Sequence, residues 1–142
     1  MADLNRFLQA QDDLGTYRQA LREMREGRKT TLWMWFIFPQ IKGLGRSYNA
    51  AYYAIQSMEE AEAYLADPVL GKRLREITST ILSHKKDDIR TIMGGGIDTM
   101  KFRSSMTLFD LVCPGDIFEE ALDTFLGGRR DQRTLQIVGA ES

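Results

Sequence analysis

Apolar residues recur at spacings of three and four along most of this chain, and helix start and stop signals separate the runs. Asp3 stands before Leu4, Phe7 and Leu8 and is placed to cap a first short helix. Leu14, Tyr17, Leu21 and Met24 mark a second, from about Asp13 to Glu26, with Gly27 as its stop. Ser47 opens "SYNAAYYAI", whose small residues and tyrosines suit a closely packed helix with Tyr52 and Tyr53 in the core. "SMEE" (Ser57 to Glu60) has the form of a capping box. "DPVL" sets Asp67 as N-cap before Pro68, and the helix that follows carries Leu70, Leu74, Ile77, Ile81 and Leu82 on one stripe.

Asp87 and Asp88 then open a short helix through Ile89, Ile92 and Met93, halted at Gly94-Gly95-Gly96. Asp98 is read as the restart, with Phe102, Met106, Phe109 and Val112 running to Pro114. "DIFE" (Asp116 to Glu119) precedes Ala121, Leu122 and Phe125, Gly127-Gly128 ends that helix, and Asp131 caps a last one with Leu135 and Val138. No turn dipeptide is flanked by the alternating pattern of a hairpin, and there is no internal repeat or low-complexity linker. The pattern predicts an all-α fold: one compact domain over residues 1–142, built from about seven to nine short and medium helices.

One stretch is ambiguous. "TTLWMWFIFPQIKGLGRS" (Thr30 to Ser47) holds both tryptophans and an unbroken apolar run from Leu32 to Phe38, which fits a buried strand or a buried helix. A lone buried strand would leave its backbone groups unpaired, so a short central helix, apolar all round and ending before Pro39, is expected.

Length and charge narrow the function classes. A chain of 142 residues matches one domain and can bury a real core. The single cysteine, Cys113, excludes an internal disulfide and suits a reducing compartment. The start "MADLNRFLQA" has no secretory pattern, and the longest apolar run is far below the ~20 residues of a membrane helix, so a cytoplasmic protein with no membrane partner is expected. A net charge of −1 argues against a nucleic-acid partner. Between Glu26 and Glu59, however, there is no acid and there are four cations, Arg28, Lys29, Lys42 and Arg46. Two readings stay open there: a buried segment that excludes carboxylates, or a site for an anion.

With one histidine and one cysteine, a nitrogen–sulfur zinc site cannot be assembled, and no cofactor is expected. His84 reads as a cap on helix-end carbonyls and Cys113 as a small buried hydrophobe. "GLGRS" (Gly43 to Ser47) could aim backbone N–H groups at an anion, with Lys42 and Arg46 for charge, or simply be a tight turn. It is neither a Walker loop nor a dinucleotide fingerprint. In "MGGGIDTMKFRSSMTLF" (Met93 to Phe109), Lys101 lies three and four residues before Ser104 and Ser105, a spacing that suits ligand contacts and, in principle, a serine–lysine nucleophile. The adjacent carboxylate pairs Asp12-Asp13, Glu59-Glu60 and Asp87-Asp88 fall at helix starts and read as caps.

"GRKTTLWMWFIFPQIKGLGRS" (Gly27 to Ser47), "AYLADPVLGKRL" (Ala63 to Leu74) and "KFRSSMTLF" (Lys101 to Phe109) resemble the bacterial domain-of-unknown-function family 1810, some of whose members are mislabelled calpastatin. The resemblance spans almost the whole chain and implies a compact, mainly helical single domain. It brings no established activity and no catalytic residue. Members often have histidine before the first tryptophan; here that position is Leu32. The "KF" pair opening a late helix, with a tryptophan and cations upstream, is also similar to the NADAR family, which is associated with ADP-ribose and related N-glycosides.

The reading that follows is a pocket where the Gly43–Ser47 and Gly94–Lys101 loops meet beside Trp33 and Trp35, holding an anionic small molecule; the second resemblance implies a nucleotide or ADP-ribose-like one. Its candidate contacts are Lys29, Trp33, Trp35, Gln40, Lys42, Arg46, Ser47, Lys101, Ser104 and Ser105. The rival is a non-enzymatic helical module that binds another protein. A monomer or weak homodimer is expected, and whether the chain is an enzyme stays open.

Overall fold

The computed structural model describes residues 3–140, and its regular elements are all helical. In chain order they are α1 (Asn5–Asp12), α2 (Thr16–Arg25), α3 (Met34–Ile37), α4 (Tyr48–Tyr52), α5 (Met58–Ala66), α6 (Leu70–Leu82), α7 (Ile89–Met93), α8 (Gly96–Val112), α9 (Ile117–Leu126) and α10 (Gln132–Val138). A 3₁₀ turn over Asp13–Gly15 joins α1 to α2. None of these helices is long and apolar enough to cross a membrane.

α8 is the axis of the molecule. Residues 104–110 are buried on every side, and the helix packs against α3, α5, α7, α9 and α10. A helix enclosed all round needs no polar face, which is why its apolar pattern is less regular than that of α6. Phe38, Phe102, Phe109, Phe118 and Tyr64 interlock around it in tilted and edge-to-face pairs.

Polar residues set most of the helix starts. Ser47 accepts from the Ala50 N–H, Ser57 from Glu60, Asp67 from Val69 and Leu70, Asp88 from Arg90, and Asp131 from Thr134. Gly94, Gly127 and Gly139 end their helices in the left-handed conformation. The capping box at Ser57 closes differently from its sequence form: the Glu60 carboxylate takes the Gln56 N–H and the Arg6 guanidinium, tying α1 to α5.

Three expectations are corrected. Leu14 lies off the α2 stripe at 97% exposure, because Leu14 and Gly15 both take positive φ and turn the chain before α2 begins. Asp98 does not start α8; Gly95 does, and Asp98 sits in the first turn, where it pairs with lysines. Tyr52 is 45% exposed and stacks on Tyr48 at the surface, leaving only Tyr53 packed against Phe7 and Phe36.

The tryptophan segment resolves its ambiguity by doing both things briefly. Met34–Ile37 make a single helical turn, and the chain then extends so that the Lys42 N–H donates to the Ile55 carbonyl (2.8 Å) and the Ile55 N–H to that of Gln40 (2.8 Å). Ahead of the turn, one buried carboxylate holds the segment down. Glu23, on α2, accepts from the backbone N–H groups of Thr30 (2.7 Å) and Thr31 (3.0 Å), the Thr31 hydroxyl, the Trp33 indole N–H (3.0 Å) and the Gln19 amide (3.0 Å). Burial pushes its pKa up, but the donors from Thr31, Thr30 and Trp33 outweigh that and lower it to about 2.

Two outcomes follow from this packing. Glu23 is ionised in the fold well below its unfolded pKa, so its contribution is complete above about pH 4.5 and is lost as pH falls toward 2. Urea titrations between pH 5 and pH 2 should show a loss on the order of 3 kcal/mol that Glu23→Gln lacks, the variant being less stable at neutral pH. Gly71 lets α6 pass the end of α5; a Cβ there would stand 2.0 Å from the Leu65 carbonyl oxygen. Gly71→Ala should cost about 1–3 kcal/mol by the same titration, despite alanine's better helix propensity.

Candidate functional site

The anchored tryptophan segment gathers part of the candidate set and closes it. Trp33 has no exposed surface. Lys29 lies over its ring (5.1 Å to the centroid) and pairs with Asp98 Oδ2 at 2.8 Å, its side chain only 6% exposed. Lys101 also reaches Asp98, at 3.7 Å, and covers the half-buried Trp35 at 5.0 Å from the ring centroid. Lys29, Trp33, Trp35 and Lys101 are therefore brought together through one carboxylate, as a packed cation–aromatic knot. Its charges are already partnered within the protein.

The other candidates lie apart from that knot. Gln40 is half-buried and joins the bridge to Ile55 through its backbone. Lys42 and Arg46 are exposed, and Ser47 is occupied as the cap of α4. The Gly43–Ser47 loop neighbours Ile137 of α10 and Ala50 of α4, whereas the Gly94–Gly96 loop neighbours the Lys29 carbonyl and the Arg90 guanidinium. Ser104 donates back to the Met100 carbonyl (3.1 Å), and Ser105 is fully buried with no partner for its hydroxyl. With Lys101 held by Asp98, a serine–lysine nucleophile pair is not formed.

His84 does cap a carbonyl, that of Arg25 at the end of α2 (3.1 Å). Cys113 is half-buried rather than buried, and its thiol donates to Asp116 (3.2 Å), the carboxylate that Arg75 also pairs with (2.8 Å). Hydrogen bonds from the Ile117 N–H, Arg75 and Cys113 lower the Asp116 pKa.

Free charge collects on the far side of α8. A cleft of about 950 Å³ opens between α7, the first turns of α8 and the end of α9. Three arginines line it: Arg90 on α7, Arg103 on α8 and Arg129 just past α9. None of the three makes an ion pair among the described residues, and the buried Nε of Arg103 has no hydrogen-bond partner. Among the described residues Asp88 is the one carboxylate in the lining, with one oxygen already capping α7. Ile97, Met100 and Phe125 supply an apolar wall, Ile97 and Met100 being 75% and 67% exposed.

The backbone contributes as well. Gly95 begins α8 with φ 140° and no side chain to cap its first-turn N–H groups, and the first-turn residues Gly96 and Ile97 form part of the cleft wall. Gly96 allows the Arg90 guanidinium to lie against it; a Cβ there would sit 3.1 Å from Arg90 Nη2. A second cleft of about 720 Å³ between α2 and α6 is different in kind. There Arg73 pairs with Asp12 (2.8 Å) and bonds Gln11, while Glu76 accepts from the Tyr17 hydroxyl (2.6 Å), so much of its charge is already matched. Burial, together with that Glu76 carboxylate, raises the Tyr17 pKa.

The candidate set takes Lys101 from the segment Met93 to Phe109, whereas the cleft is lined by Arg103 of the same segment. At roughly 100° per residue, Lys101 and Arg103 are about 160° apart around α8, so one meets the knot and the other the cleft. Arg90 and Arg129 belong to other elements, and no local spacing connects the three.

The relationships of the chain agree with this fold. A family model described as "Protein of unknown function (DUF1810)" matches residues 1–138. The crystal structure of the conserved hypothetical protein Rv1873 from Mycobacterium tuberculosis is 41% identical, covers 98% of both chains and superposes with a TM-score of 0.92. No curated protein matches. A match over nearly its whole length places this chain in the DUF1810 family.

Proposed function

We propose that the protein binds an anionic small molecule of the nucleotide or ADP-ribose type, in the cleft lined by Arg90, Arg103 and Arg129. The observation that carries this is three arginines on one concave surface, none of them ion-paired among the described residues. In ordinary surfaces arginines are solvated singly or paired; here they share a cavity large enough for a drug-sized ligand and bordered by apolar side chains. Guanidinium forks and helix-start N–H groups are the donors that phosphate oxygens accept from. The sequence placed the same ligand class in the Trp33 region, but there Lys29 and Lys101 are both engaged by Asp98.

Thermal unfolding against nucleotides, NAD, ADP-ribose and sugar phosphates tests the reading. A ligand at ~100 times its Kd adds about 2.7 kcal/mol, a rise of several degrees for a domain of this size. Arg103→Ala and Arg129→Ala should each abolish the rise, while Arg46→Ala should leave it. Gly96→Ala should preserve or slightly raise the unligated Tm, since alanine suits a helix start, and weaken binding by displacing the Arg90 guanidinium. A rise that survives both arginine substitutions would place the ligand elsewhere.

One feature favours the rival reading of a protein-interaction module. Tyr48 and Tyr52 stack in parallel at the surface, 5.8 Å apart, and Tyr52 lines a groove with the protruding Leu14. If that surface joins copies of the chain, size exclusion at two concentrations will show a dimer that Tyr48→Ser with Leu14→Ser removes.

A further inference from the structure

The composition of the arginine cleft says more about its ligand than that it is an anion. Resting on the site proposed above, we infer that the cleft selects a doubly charged terminal phosphate monoester, which a mononucleotide carries and ADP-ribose does not, over singly charged oxyanions, and that the ligand's organic body lies on Ile97 and Met100.

Charge is the first discriminator. Arg90, Arg103 and Arg129 face one carboxylate, Asp88, which leaves a surplus of two positive charges on the cleft wall. A carboxylate or sulfonate would neutralise one of them. A phosphate monoester carries about −1.5 to −2 at pH 7 and neutralises nearly both. The second is geometry. The arginines come from three separate parts of the fold, and Gly96 and Ile97 at the start of α8 complete the wall between them. A planar carboxylate can take one fork edge-on, while a tetrahedral phosphoryl group presents three terminal oxygens to donors on different sides. Arg103 has no ion-pair partner among the described residues, and its buried Nε has no hydrogen-bond acceptor.

The third argument concerns the body of the ligand. On α8, Met100 and Arg103 are neighbours around the helix, with Ile97 one step further round. Two apolar side chains more than two-thirds exposed therefore lie beside the charged pocket, on the ridge that separates it from Trp35 and Lys101. An organic group esterified to the phosphate would cover them; inorganic phosphate would leave them wet.

Phenyl phosphate, benzenesulfonate and inorganic phosphate separate these terms at fixed pH 7.5. Sulfonate keeps the tetrahedral oxygens and the ring but removes one charge. Binding is read by calorimetry and by the Nε–H resonance of Arg103, in the wild-type chain and in Arg129→Ala, Arg103→Lys and the double variant Ile97→Ser with Met100→Ser. The expected result is that phenyl phosphate shifts the Arg103 signal and binds about tenfold or more tighter than benzenesulfonate. Arg129→Ala and Arg103→Lys weaken it, and the serine variant weakens phenyl phosphate several-fold with no effect on inorganic phosphate. Equal affinity for phosphate and sulfonate, with both lost in Arg129→Ala, overturns the dianion assignment and leaves the cleft as an anion site. Insensitivity to the serine variant removes the role given to Ile97 and Met100. If no probe moves the Arg103 signal, or binding ignores both arginine substitutions, the cleft itself is not the site and both readings fall.

Discussion

Glu23 is the interaction on which the arrangement of this molecule depends. Helix α2 delivers one carboxylate into the interior, and five donors from Gln19, Thr30, Thr31 and Trp33 converge on it. An isolated buried carboxylate would be prohibitively unfavourable, so the donors and the acid require each other. Once the indole N–H is fixed to Glu23, the ring position follows, then the Lys29 ammonium above it, then Asp98. The Lys29 N–H to Ile92 carbonyl bond (2.7 Å) clips the same loop to α7. A chain of contacts thus runs from α2, through a segment with little regular structure of its own, to the start of the central helix.

The helical architecture was legible because its signals are local. A cap, a stripe at spacings of three and four, and a glycine stop all lie within about 15 residues, and Ser47, Ser57, Asp88 and Asp131 perform as their positions imply. The misreadings have a common origin in backbone geometry that side-chain pattern does not encode. Leu14 continues the α2 stripe in sequence, yet its left-handed conformation throws it outward. Asp98 looks like a cap, yet Gly95, with its positive φ, caps α8 three residues earlier and leaves the carboxylate for the lysines.

The site was less legible for a different reason. Sequence inspection saw where cations cluster along the chain and where acids are missing, and so pointed to the segment between Glu26 and Glu59. In the folded molecule that window is supplied with acids from outside: Glu23 for Trp33, Asp98 for Lys29. The three arginines of the cleft come from three places with no common motif, brought together only when α7, α8 and the end of α9 meet. The glycine-rich Gly94–Gly96 stretch was the one local sign of that junction, and its worth lay in the turn it makes rather than in any residue it carries.

The two indoles occupy different solvents. Trp33 is dry and locked to Glu23, while Trp35 is half wet and lies under Lys101, one helical step around α8 from the exposed Ile97. The molecule therefore carries an optical gauge with an internal reference. Emission from Trp33 reports whether the fold is intact, and emission from Trp35, quenched or shifted as Lys101 moves over its ring, reports on the first turns of α8. A change confined to the red component would be the spectral mark of an event at the helix start that leaves the core undisturbed.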